Sequence, residues 1–106
     1  MSESEELLDN AREAAAFLKA LSNEHRLMIL CLLAEGERSV GELEAALELR
    51  QPTLSQQLAR LRTDRLVNTR RDGKSIYYSL ASNDAREVVT LLYSLFCARP
   101  QTAAAE

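Results

Sequence analysis

The sequence predicts a mainly helical fold with one small β-hairpin, an α+β arrangement. Three observations predict it. Five segments carry apolar residues at helical spacing, one late stretch switches to a period of two, and the chain has only three Gly and two Pro. Its 106 residues suit a single domain spanning 1–106, with 1–4 and 100–106 expected as disordered tails.

Each element follows in order. Over Glu5–Leu21, Leu7, Leu8, Ala11, Ala14, Ala15 and Leu18 form one apolar stripe. Ser22 or Asn23 caps a second helix at Glu24–Ala34, apolar nearly all round through Leu27–Leu33 and expected to be central and most buried. Gly36 ends it as a left-handed cap. Ser39-Val40-Gly41-Glu42 is a capping box opening a short helix with Val40, Leu43, Ala46 and Leu47 inward. After a turn at Glu48–Arg50, a helix over Gln51–Asp64 turns Leu54, Leu58 and Leu61 to the core, and Pro52 is tolerated in its donor-free first turn. Leu66–Arg71 and Ser75–Leu80 alternate as strands about the turn Asp72-Gly73. Ser82, Asn83 or Asp84 caps a last helix to about Ala98, with Val88, Val89, Leu91, Leu92, Leu95 and Phe96 as its stripe and Pro100 as its stop. Helix, helix, helix, helix, hairpin, helix, with a tight turn before a polar-faced helix, is a winged helix-turn-helix.

Charge placement gives this fold a purpose. Net charge is −3, yet Arg50–Lys74 holds seven basic and two acidic residues, a local +5 against −8 elsewhere. A basic segment on an acidic body is the footprint of a small DNA-binding module. Gln51, Thr53, Ser55, Gln56 and Gln57 put short hydrogen-bonding side chains on the N-terminal half of the reading helix, as base-edge contact requires. Arg60 and Arg62 suit the phosphate backbone, and Arg70, Arg71 and Lys74 a wing laid along a minor groove. The apolar stripes of the terminal helices have no partner in so small a unit. They are expected to meet in a homodimer, which presents two reading helices to an inverted-repeat operator, expected to be AT-rich.

Other classes are disfavoured. No apolar run approaches the ~20 residues of a membrane span, and the acidic Met1–Glu6 is no secretory signal, so a cytoplasmic protein without membrane contact is expected. Two cysteines exclude a disulfide scaffold. With one His, no phosphate loop and no nucleophile–base pair, neither an enzyme nor a cofactor is expected. A winged-helix protein-interaction module is the alternative from another class.

The stretches Leu18–Leu30, Ser39–Leu43, Gln51–Leu58, Leu61-Arg62, Leu66-Val67 and Tyr77–Leu80 resemble the ArsR/SmtB family of bacterial winged-helix repressors. The resemblance implies a homodimer that releases operator DNA when an inducer is sensed. Arg50 departs from it, standing where the family often has a capping Ser. The metal-sensing pattern is missing too: Ser39–Leu43 has no thiol, the last helix has Asp84 and Glu87 but no His, and His25 stands alone. A transition-metal site needs clustered N or S ligands, so no metal is expected.

Cys31 and Cys97 lie 66 residues apart in the chain. In this fold the last helix packs near the central one, so the two can face each other. Taken alone, they read equally well as inert small hydrophobes or as reactive thiols. Beside Cys97, Arg99 favours thiolate while the helix C-terminus opposes it. The contexts Ile29–Leu33 and Leu95–Cys97 are similar to the persulfide-sensing branch of the family, the SqrR-, BigR- and HlyU-like regulators. That resemblance implies that Cys31 and Cys97 are sensor thiols bridged by reactive sulfur species, persulfide or polysulfide. The alternative within the fold is a repressor with another inducer or none.

Overall fold

The computed structural model describes residues 2–97, arranged as α1 (Glu3–Leu21), α2 (Glu24–Glu35), β1 (Arg38–Ser39), α3 (Val40–Leu47), α4 (Gln51–Thr63), β2 (Val67–Asp72), β3 (Ser75–Leu80) and α5 (Asn83–Phe96). This is the expected winged helix-turn-helix. Three side chains do the expected capping. Asn23 Oδ1 accepts from the Arg26 amide at 3.1 Å, Ser39 Oγ from Glu42 at 3.1 Å, and Ser82 Oγ from Ala85 at 3.2 Å.

The core forms where α2 packs on α3, α4, α5 and β3. Ile29, Leu30 and Leu33 of α2 are buried against Leu43, Leu54, Leu58, Leu61, Leu80 and Val89. Each such side chain contributes about 1.5–3 kcal/mol by leaving water. Burial does not extend round the whole helix: Met28 is exposed and Cys31 and Leu32 are half-buried.

Several expectations need correction. The Ser2 hydroxyl and the Glu5 carboxylate each accept the other's amide N–H, at 3.2 and 3.1 Å, a second capping box. The first helix therefore starts at Glu3, and residues 2–4 are not a tail. Gly36 ends α2 at φ 151 and ψ 172, an extended region open to glycine alone, and not as a left-handed cap. Left-handed backbone falls instead on Glu48 (φ 54) and Arg65 (φ 59). The hairpin loop is Gly73-Lys74, because Asp72 pairs with Ser75 inside the ladder and Gly73 (φ 64) takes the first loop position. A third strand, β1, pairs antiparallel with β3 through Arg38–Tyr78 and Ser39–Tyr77, giving the order β1-β3-β2. Ala46 is exposed rather than core. The expected end of the last helix near Ala98, its stop at Pro100 and the C-terminal tail lie outside the described residues.

The stripe of α1 is not covered within the subunit. Leu7, Leu8 and Leu18 are 68%, 50% and 57% exposed. The radius of gyration is 16.0 Å, against about 13 Å for a compact unit of 100 residues.

Candidate DNA interface and thiol groove

Short α3 and the left-handed turn at Glu48 set α4, the helix expected to read DNA, on the surface. Arg50 is its N-cap without a side-chain cap bond, as the missing Ser foretells, and Pro52 falls in the first turn. Leu54, Leu58 and Leu61 are buried, which turns the opposite face outward. Gln51, Ser55, Gln56 and Arg62 are exposed, Gln56 opposite the buried row and the others beside it, and Thr53 is half-buried. Two predicted DNA contacts are already engaged. Gln57 is half-buried and its Oε1 accepts from Arg26 Nη1 at 3.0 Å. Arg60 donates from Nε to Asp64 at 2.7 Å, one turn on.

The wing divides in the same way. Arg71 and Lys74 are exposed at its tip and make no ion pair among the described residues. Arg70 is held at its base. It donates from Nε and Nη2 to the two Glu37 oxygens at 2.8 and 2.7 Å, and its guanidinium lies 4.5 Å from the centre of the Tyr77 ring, its cross-strand partner. That fork holds the Glu37 carboxyl below its ordinary pKa.

The two cysteines are brought to one place. Packing of α2 against α5 leaves a groove of about 450 Å³ lined by both Cys31 and Cys97, with Leu27, Met28, Leu32, Leu47, Leu92, Tyr93 and Phe96 making the rest of its wall. Cys31 is half-buried in mid-helix. Burial raises its pKa most, with Cys97 and Glu35 adding to the rise. Cys97 is exposed and closes α5, its amide donating to the Tyr93 carbonyl at 2.8 Å. Arg86 fixes α5 to the last turn of α2 by donating to the Ala34 carbonyl. Among the described residues no cluster of three or more His, Cys, Asp or Glu is placed to hold a metal. No described helix is long and apolar enough to cross a membrane.

Residues 23–69 match the bacterial regulatory protein, arsR family. A biofilm growth-associated repressor of Agrobacterium fabrum is 54% identical over 83% of this chain and 75% of its own length. The chain belongs to the ArsR family. HlyU of Vibrio cholerae, a transcriptional activator, is 47% identical over 88% of this chain and 86% of that protein. The structure of its reduced form superposes with a TM-score of 0.83, covering 87% of this chain and 97% of that one at 48% identity. A homodimeric winged helix-turn-helix DNA-binding domain from Mycobacterium bovis superposes at 0.72 with 35% identity, covering 90% and 86%. This ArsR-family chain is a DNA-binding transcriptional regulator and not an enzyme.

Sequence reasoning missed two residues of this architecture. Arg26 is the one buried charged side chain among the described residues, and its signal was a cation directly before the apolar run Leu27–Leu33. Glu37 carried none, since its partner lies 33 residues away.

Proposed function

We propose that this regulator is a homodimeric repressor that binds inverted-repeat operator DNA and lets go when reactive sulfur bridges Cys31 to Cys97. One observation carries the reading: two thiols 66 residues apart in the chain line a single apolar groove. The exposed stripe of α1 and the exposed Leu91 of α5 support pairing of two copies through the terminal helices, and the Mycobacterium bovis domain is homodimeric. Gln51, Thr53, Ser55 and Gln56 read the operator, while Arg62, Arg71 and Lys74 meet phosphates. Arg70 reaches phosphate by leaving Glu37, whereas Arg60 holds Asp64 through Nε alone.

The chemistry follows from exposure. Thiolate is the nucleophile, and burial disfavours it at Cys31. Exposed Cys97 therefore attacks first, taking the outer sulfur of a hydropersulfide RSSH to give Cys97–SSH, and RS⁻ leaves as RSH. The Cys31 thiolate then attacks the inner sulfur, forms the Cys31–Cys97 bond and expels HS⁻. Both thiols are oxidised and the donor's sulfane sulfur is reduced to sulfide. If Cys31 already carries a sulfur, its terminal atom attacks instead and a trisulfide results, again with loss of HS⁻. A direct disulfide needs Cα atoms within about 4.4–6.8 Å, whereas the trisulfide spans more, so a pair held beyond that range is bridged by sulfur donors and not by peroxide.

The bridge ties α2 to α5 and shifts the dimer by binding one arrangement better than another, a coupling of about 1–3 kcal/mol. The test is operator binding before and after a polysulfide donor. Wild type is expected to lose roughly 5–150-fold in affinity, and Cys31→Ser and Cys97→Ser to lose none. Release by both variants would sink the dithiol switch.

A further inference from the structure

Gln57 stands in the half of α4 where a base-reading glutamine is expected, and its surroundings give it another task. Arg26 is only 8% exposed and its guanidinium donates to two acceptors. Its Nε donates to the Ala20 carbonyl at 2.7 Å, and its Nη1 to Gln57 Oε1 at 3.0 Å. Ala20 belongs to the last turn of α1, Arg26 to the first turn of α2, and Gln57 to the middle of α4. One buried cation thus joins the helix with the uncovered apolar stripe, the helix carrying Cys31, and the helix facing DNA. Cys31 lies five residues on, about 7.5 Å along the same axis. A guanidinium has donors only, so Gln57 must turn its oxygen towards Arg26. The bidentate adenine contact, which needs both ends of the amide, is then closed to it. On α4, Gln57 flanks the buried Leu54–Leu58–Leu61 row, whereas Gln56 faces away from it.

We infer that Gln57 is a positioning residue and that the Arg26–Gln57 bond is the joint by which α2 sets the attitude of the reading helix. A displacement of α2 caused by bridging Cys31 reaches α4 through this joint as well as through the packed leucines of the core. The inference rests on the DNA-binding reading, and the experiment separates the two.

Wild type, Gln57→Met, Arg26→Met and the double variant are measured by fluorescence anisotropy on an inverted-repeat operator and on a panel with each base pair changed in turn. Circular dichroism checks that each is folded. Gln57→Met is expected to bind every sequence about tenfold more weakly with its base preference unchanged. The double variant is expected to be no worse than Arg26→Met. In the absence of DNA, hydrogen exchange of the α4 amides is expected to quicken in Gln57→Met. A changed preference at one base pair, or losses that add in the double variant, would overturn the joint and return Gln57 to base reading. If wild type binds no operator, the DNA reading itself fails. The exchange data then decide the joint alone, unchanged α4 protection in Gln57→Met refuting it. Should Arg26→Met not fold, the operator panel and exchange of Gln57→Met decide the matter.

Discussion

Helices α2 and α5 each carry one thiol, and their settings are opposite. In α2 the residues around Cys31 include Ile29, Leu30 and Leu33, all buried. In α5 only Ala85 and Val89 are buried, and Leu91 and Tyr93 stand exposed with Cys97 at the end. One helix is fixed by the core of its own subunit, and the other presents a wide face beyond it. A bond between the two therefore links an interior element to a peripheral one. That is the arrangement in which a local reaction can change how whole subunits meet.

The contrast can be broken at the core first. Leu30→Ala removes a fully buried side chain, and denaturant unfolding should show a loss of about 3–4 kcal/mol. A loss under 1 kcal/mol would mean that α2 is not the enclosed helix. On the other side, Leu91→Glu leaves the subunit core alone, because that side chain is 56% exposed. Sedimentation should show the dimer weakened about 100-fold, equivalent to about 2.7 kcal/mol, with helicity retained. An unchanged dimer would remove α5 from the interface. The smallest effect concerns the thiols themselves. Folded-state alkylation followed by mass spectrometry should label Cys97 roughly tenfold faster than Cys31 near neutral pH, a difference of about 1.4 kcal/mol. Because the Cys31 pKa is raised, its neutral form persists above the ordinary thiol range. Its labelling should then climb with pH until that higher value is passed, and Glu35→Gln should bring the climb to lower pH. Equal labelling at neutral pH would cancel the proposed order of attack.

Local chemistry made much of this architecture readable. The side-chain N-caps at Asn23, Ser39 and Ser82, the leucine rows of α2 and α4 and the two wing strands express short-range rules and appear where their spacing puts them, although the Gly36 cap and the hairpin loop do not. The start of α1 is equally readable in Ser2-Glu3-Ser4-Glu5, whose Ser-x-x-Glu spacing is that of a capping box. Long-range pairings were not readable. Strand β1 is two residues whose only reason is the free edge of β3. Gln57 and Arg70 have the composition of DNA contacts, yet meet Arg26 and Glu37, 31 and 33 residues away. A hydrogen-bonding side chain advertises what it is able to bind, while the fold decides which partner reaches it first.

If the proposed DNA reading holds, the Glu37–Arg70 fork bears on the thermodynamics of promoter association. Affinity gained by expelling condensed counterions scales with the number of phosphates neutralised, about 0.9 per contact in the slope of log affinity against log salt. A guanidinium that must abandon a carboxylate to reach a phosphate uncovers one negative charge as it covers another, and adds almost nothing to that slope. On the proposed reading, ionic-strength sensitivity should track Arg62, Arg71 and Lys74, unpaired among the described residues, more than the paired Arg70, leaving recognition weighted towards contacts that salt does not erode.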